Sequence, residues 1–206
     1  MYIPDAFAED RAELLRQSIH EQPFAALIVW EGERMIANHL PLLLDAEGGK
    51  LVGHVARANP LWQQCAEGAP AIAIFSGVHH YVSPSWYPSK RETGQVVPTW
   101  NYAVVHVHGS VRFVHDAQWL HALVTRLTER MEHGRKDRWH VSDAPGDFVE
   151  RMLGAIVGVE LAITRIEGKR KLWQNRPRRE RDGVIAGLAN EPDDNARIMA
   201  EMMRGS

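Results

Sequence analysis

Three stretches of this 206-residue chain carry side chains able to do chemistry, and each suits a different contact. Tyr81 to Tyr102, YVSPSWYPSKRETGQVVPTWNY, mixes two Trp, three Tyr, three Ser and three Pro with one Lys and one Asn. A stretch that only turned the chain would be short and rich in Gly and Asn. A long one that is both aromatic and polar suits the wall of a planar-ligand pocket; the alternative is a large surface loop whose rings pack onto the core. The second stretch, His54-Val55-Ala56-Arg57-Ala58-Asn59-Pro60, places an Arg just ahead of a helix start, where free backbone N–H groups and a guanidinium suit a phosphate dianion. Asn-Pro caps also arise for purely local reasons, but Asn38-His39-Leu40-Pro41 offers His39 toward the same place. The third stretch, Lys169 to Arg181, holds seven cations (Lys169, Arg170, Lys171, Arg176, Arg178, Arg179, Arg181) and a single acid, Glu180. It reads either as a phosphate or nucleic-acid contact or as a solvated turn with ion pairs. Within it, Gln174 and Asn175 carry both a donor and an acceptor, as an imide ring edge requires.

Histidines form a further set: His79 and His80, then His106 and His108. The i, i+2 spacing puts His106 and His108 on one face of a strand. No acid follows at short range to complete a metal set and nothing resembles HExxH, so no metal is expected. Trp100, Tyr102 and Val104 share that face, and the pair reads as a continued pocket wall or partner surface. A GxSxG elbow and the GxGxxG and GxxxxGK[ST] phosphate loops are absent, which argues against a serine hydrolase, a Rossmann site and a P-loop. The one cysteine, Cys65, excludes an internal disulfide and a Cys-based zinc cluster, and reads as a small buried hydrophobe.

The elements that must position these groups are mostly strands. Asp10 to Glu13 has capping-box spacing ahead of a helix that Pro23 stops. Phe24 to Trp30 reads as a strand covered on both faces, Met35 to Leu44 as a second strand broken in rhythm by Pro41, and Lys50 to Ala56 as a third whose Gly53 marks a bulge or close approach. A short helix, Leu61 to Glu67, follows the Asn59-Pro60 cap. Ala71 to Tyr81 and Thr99 to Val114 read as strands, the latter bent or bulged at Gly109. Asp116 caps an amphipathic helix reaching His133. Pro145 starts a shorter helix, and Val157 to Ile166 reads as a last strand. Residues 168–206 begin basic and end as a broken helical tail. Six or seven strands with helices inserted late, and no βαβ rhythm, imply a mainly β fold: a small antiparallel barrel with peripheral helices.

Composition bounds the rest. With 45% hydrophobic and 24% charged residues the chain is globular, and its length suits one domain over 1–206, with 168–206 packed on it. A net charge of −2 predicts no general affinity for nucleic acid. No apolar run is long enough to cross a bilayer and MYIPDAFAED is acidic rather than signal-like, so a soluble, cytoplasmic protein is expected.

Taken together, MYIPDAF, HLPLLLD (39–45), GHVARANPLW (53–62), YVSPSWYPSK (81–90), VPTWNY (97–102) and KLWQNRP (171–177) resemble the PaiB-like family of FMN-binding negative transcriptional regulators. That family is similar to the split-barrel flavoproteins that include pyridoxamine-phosphate oxidase. The resemblance implies a six-stranded antiparallel split β-barrel and a homodimer with FMN at the subunit interface. It implies that His39, His54 and Arg57 neighbour the ribityl phosphate, and that Tyr81, Ser83, Ser85 and Lys90 approach the flavin. It also implies Trp86 and Trp100 as stacking rings, Thr99, Asn101 and Tyr102 nearby, and Lys171, Gln174 and Asn175 toward the ring edge, from either subunit. Asn38 stands where Thr is expected, and Trp173 where a small polar residue is. No helix-turn-helix is evident, so direct DNA contact is not supported by the residues. An FMN-dependent oxidoreductase acting on a small molecule is the alternative, and a barrel that has lost its cofactor a third reading.

Overall fold

The computed structural model describes all 206 residues. In chain order its elements are β1 (Ala8–Glu9), α1 (Ala12–Glu21), β2 (Phe24–Glu31), β3 (Arg34–Pro41), β4 (Leu43–Leu44), β5 (Lys50–Ala56), α2 (Leu61–Gln64), β6 (Ala69–Val82), α3 (Ser89–Glu92), β7 (Thr99–Val114), α4 (Ala117–Met131), α5 (Gly146–Gly154), β8 (Ile156–Lys171), α6 (Arg178–Ala189) and α7 (Asp194–Arg204). The strands form one sheet in the order β3-β2-β6-β7-β8-β5-β4, with the two-residue β1 added to β8. The six strands of seven or more residues are those expected of a split barrel; β1 and β4 are short additions. The fold is mainly antiparallel β with peripheral helices, and the sheet is not closed on itself.

Two boundaries differ from the expectation in ways that matter. The last strand runs on to Lys171, so Lys169, Arg170 and Lys171 are strand residues rather than a surface turn. The added residues, Glu167 to Lys171, hold no Val or Ile and are kept extended by pairing with β1, Ala8 opposite Lys169 and Glu9 opposite Gly168. The helix after Asn59-Pro60 ends at Gln64, three residues early. A third correction concerns coverage: Ala25, Leu27 and Val29 of β2 are fully buried, but Phe24 and Trp30 are exposed, so only one face is covered within the chain.

The chain divides into two compact units. The first comprises 1–18, 75–106 and 167–206. Its core gathers Val82, Tyr87, Leu172, Trp173, Val184, Leu188, Met199 and Met203, with Trp86 packed against it. Gly187 of α6 is there because a β-carbon would meet the Trp86 indole at 2.3 Å. Asp193 starts α7 by accepting from the Ala196 N–H at 3.1 Å. The second unit comprises 19–74 and 107–166, with Leu43, Val52, Leu123 and Leu127 packed beside Trp119. Asp116 caps α4 as expected, its Oδ1 accepting from Trp119 N at 2.7 Å. Glu160, buried on β8, receives Arg112 through two hydrogen bonds of 2.8 and 3.0 Å and Lys50 at 3.0 Å.

Strand parity places the side chains. Along β6, Ala71, Ala73 and Phe75 are buried, then the rhythm shifts: Ser76 and Gly77 both stay outside, and Val78 and Val82 turn inward. One extra residue at Gly77 accounts for the change, as in a β-bulge. Along β7, Asn101, Val105, Val107 and Val111 are all buried, so inward parity is unbroken across Gly109. Glycine is needed at 109 for close approach: a β-carbon there would fall 2.0 Å from the Ala162 carbonyl oxygen.

Candidate functional site

The residues expected at a phosphate lie in the second unit. His54, on β5, has its Nδ1 enclosed without a hydrogen-bond partner, and burial pushes the imidazole pKa down, toward the neutral form. Arg57 donates from Nε to the Gly154 carbonyl at 2.6 Å and from Nη2 to the Ile156 carbonyl at 2.9 Å, while Nη1 lies 3.4 Å from His115 Nδ1. The guanidinium therefore ties the end of β5 to the junction of α5 and β8, a bracing role the sequence did not disclose. It has five N–H groups, so anchoring leaves others to offer. Asn59 accepts from Leu61 N at 3.0 Å and donates to Asn38 Oδ1 at 2.6 Å, so Asn38 links β3 to the entry of α2. His39, the next residue, stands on the opposite face of β3, exposed beside the Phe24 ring.

The residues expected near a flavin ring lie in the first unit, and alternation along β7 sorts them to different places. Thr99 lines a cavity of about 540 Å3 together with Lys171 and Asn175. Lys171 Nζ donates to Thr99 Oγ1 and, at 2.9 Å, to the Trp100 carbonyl. Burial lowers the Lys171 pKa. Asn101 points the same way but is wholly buried, its Nδ2 3.3 Å from Met203 Sδ and its Oδ1 without a partner. Trp100 and Tyr102 face the other side, where they line a shallow groove of about 320 Å3 with Ser76, Gly77 and His79. Tyr81 and His79 meet the Trp100 ring there, at centroid distances of 6.2 and 5.7 Å.

The segment before β7 is not an open loop. Ser83 caps a 3-10 turn over Pro84–Trp86 by accepting from Ser85 N, and Ser85 Oγ accepts from Lys90 Nζ at 3.0 Å. Trp86 lies between the His80 ring and the glycine face of α6. Of the residues brought to the larger cavity, Tyr87, Ser89 and Glu180 were missed, while Trp173, a departure from the family pattern, and Arg176, of the basic run, also line it. The signal was available for Trp173, whose indole tilts against Tyr87 at 4.5 Å beneath the Arg176 guanidinium. Its φ of 66° is left-handed, a backbone region that costs a non-glycine residue about 1–2 kcal/mol. Gln174 is engaged at both ends, accepting from Leu172 N at 2.8 Å and donating to the Arg170 carbonyl at 2.6 Å. It secures the turn that presents Trp173 and Asn175.

The basic stretch is largely consumed by local partners. Lys169 donates to the Tyr2 carbonyl and lies over the Tyr2 and Tyr102 rings, and Arg170 faces Glu9. Arg178 pairs with Asp182 and Arg179 with Glu92, and Arg181 holds the carbonyls of Met203 and Ser206. Only Arg176, over Trp173, joins no ion pair or hydrogen bond through its side chain.

Comparison with known proteins agrees with this arrangement of elements. Residues 1–165 match the family model described as "Putative FMN-binding domain". The Bacillus subtilis protein named "Protease synthase and sporulation protein PAI 2" is 33% identical over 205 residues, covering 98% of this chain and 96% of its own. An uncharacterized Emericella nidulans protein is 31% identical over 242 residues, covering 99% and 96%. Among solved structures, the FAD- and heme-binding protein from Mycobacterium smegmatis superposes with a TM-score of 0.59 at 18% identity, over 80% of this chain and 73% of that one. The flavocytochrome Anf3 from Azotobacter vinelandii gives 0.58 at 14%, over 80% and 69%. The split-barrel fold is common to these, and the chain belongs to the PaiB-like FMN-binding family, whose cofactor is FMN.

Proposed function

We propose that the protein works as a homodimer that holds FMN between its subunits, with the phosphate at the end of β5. The observation that carries the phosphate end is His54 Nδ1, a buried polar atom without a partner three residues before the anchored Arg57. Orphaned buried donors are uncommon unless a ligand or water completes them. A neutral His54 and the unused Arg57 N–H groups form a donor set fitted to phosphate oxygens, with His39 as a further candidate. For the ring, Trp100, Tyr102 and Tyr81 of one subunit supply the exposed aromatic wall, while Thr99, Lys171 and Asn175, on the other side of β7, supply donors for an imide edge from the other subunit. Ser83, Ser85, Trp86 and Lys90 shape the segment beside it; Gln174 acts by fixing backbone, and Asn101 is buried against Met203. Bound FMN supplies hydride or electron transfer, and the chain's part is orientation and exclusion of water.

Exposed apolar side chains support the dimer. Phe24, Trp30 and Met35 project from β2 and β3 in one unit, and Tyr81 and Trp100 from β6 and β7 in the other. Rings left outside in this number are the kind of surface that association covers. The negative-regulator role comes from the family alone. Because six of the seven cations between Lys169 and Arg181 have local partners, regulation is proposed to run through the flavin or a protein contact rather than through this cluster on DNA. A flavin-dependent oxidoreductase is the second reading, favoured by the cavity of about 540 Å3 beside Lys171.

Titration of flavin-free protein with FMN, followed by sizing, tests the proposal. Saturation at one FMN per subunit with a dimeric elution volume is expected. Absence of any change in flavin absorption or melting temperature would refute cofactor binding, and tight binding by a monomer would refute the shared site. Reduction of the bound flavin by NADH or NADPH would select the enzyme reading.

A further inference from the structure

The larger cavity of the first unit has a composition that the flavin reading does not use up. That reading calls on Thr99, Lys171 and Asn175, and leaves Tyr87, Ser89, Trp173, Arg176 and Glu180 without a ligand role. The charges are unbalanced toward positive. Glu180 is the one carboxylate on the cavity, and both its oxygens already accept, from Ser89 N at 3.1 Å and Ser89 Oγ at 3.0 Å. Two of three Lys171 ammonium hydrogens are directed at Thr99 and Trp100, leaving one. Arg176 has its whole hydrogen-bonding edge unengaged and its face held over the Trp173 indole. The floor is aromatic, Trp173 against Tyr87, and the turn that presents Trp173 is strained at φ 66° and braced by Gln174. Strain kept in place by surrounding bonds clusters at ligand sites. A volume of about 540 Å3 lies within the usual range for small-molecule pockets, about 300–1,000 Å3.

We propose that this cavity is a second small-molecule site, for a planar organic anion of the aromatic carboxylate class. Its carboxylate is received by Arg176, whose fork suits two oxygens at once, near the Lys171 charge. Its ring lies on the Trp173–Tyr87 floor. Burial disfavours the charged form of Lys171 in the empty cavity, and an incoming anion restores it, so occupancy and protonation reinforce each other. The site goes beyond the flavin proposal and stands on the cavity's own charges.

Calorimetric titration with benzoate tests it, with benzamide as the neutral isostere and cyclohexanecarboxylate as the non-planar anion, on both flavin-free and FMN-saturated protein. Benzoate is expected to bind both forms, with each control weaker by about tenfold or more. Arg176→Gln, at an exposed position, is expected to weaken benzoate by about tenfold without changing the melting temperature. Lys171→Met, checked for folding by circular dichroism, should do the same and abolish the pH dependence of binding near the lysine pKa. Equal binding of benzoate and benzamide, no binding, or no effect of Arg176→Gln would overturn the proposal. Displacement of benzoate by FMN would overturn it too, by assigning the cavity to the flavin. Failure of the flavin proposal is seen separately, as benzoate binding by protein that takes up no FMN.

Discussion

Arg57→Ala should have two separable effects, because the guanidinium is both a brace and a proposed phosphate ligand. Its bonds to the Gly154 and Ile156 carbonyls, 2.6 and 2.9 Å, are made by a charged donor at a partly exposed site. Charge-assisted hydrogen bonds contribute about 1.5–3 kcal/mol when enclosed, and solvent access here reduces each to about 1 kcal/mol, a loss of about 2 kcal/mol for the pair. For a chain of this length that lowers the melting temperature by about 4–8 °C. Loss of a phosphate contact should weaken FMN by at least about tenfold, about 1.4 kcal/mol. Fluorescence titration with FMN and with riboflavin, which lacks the phosphate, divides the two effects. Arg57→Ala should weaken FMN and leave riboflavin unchanged, and Arg57→Lys should retain part of the FMN affinity but not the melting temperature, since one ammonium cannot span both carbonyls in the same geometry. Equal weakening of both ligands would show that Arg57 acts only by holding the β5 end, and the phosphate assignment would fall. An unchanged melting temperature would refute the brace.

Three further outcomes follow from the same geometry. Arg112, through its two hydrogen bonds, holds the Glu160 carboxyl below its usual range, so the stability it contributes is full above the ordinary glutamate pKa of about 4.3 and is lost as pH falls through the lower folded value; urea melts from pH 7 to 3 should show this slope, and Glu160→Gln should flatten it. Gly187→Ala sets a β-carbon 2.3 Å from the Trp86 indole, an overpacking of about 1–3 kcal/mol, read as increased amide exchange of α6 and of the turn at Pro84–Trp86. Trp100→Glu places a charge on the exposed aromatic groove and should convert a dimer to monomers on sizing, with an unchanged elution volume excluding this face from the interface.

Much of the fold was legible because its signals are local. The apolar run from Phe24, the Asp116 cap and the Gly53 close approach, where a β-carbon would meet the Pro41 carbonyl oxygen at 2.6 Å, needed only neighbours in sequence. Cys65 is buried and burial raises its thiol pKa, as a small hydrophobe implies. Site geometry was less legible, because it turns on partners far along the chain. Nothing near Arg57 indicates that residues 154 and 156 will engage its guanidinium, and nothing near Ser89 points to Glu180. Thr99 to Tyr102 read as one group, yet strand alternation divides them between the larger cavity, a buried amide and an outer groove. Gln174, read as a ring contact, supports the turn, because the Leu172 N–H and the Arg170 carbonyl lie within reach of the two ends of its carboxamide.

The doubled outward pair at Ser76 and Gly77 has a consequence for how this protein can vary in length. Removing one of the two would restore strict alternation and leave Val78 and Val82 facing inward, whereas removing one residue between Val78 and Val82 would turn Val82 out of the core that holds Leu172 and Met203. The turn at Asp45–Gly49 carries no such penalty, since its hydrogen bonds run among its own residues and to Lys50, apart from the Gly49 carbonyl, which accepts from Ile163 N at 2.9 Å. Natural relatives should therefore lengthen and shorten freely at that turn and keep the spacing from Val78 to Val82 constant. A one-codon deletion scan, scored for soluble folded product, would show the contrast directly.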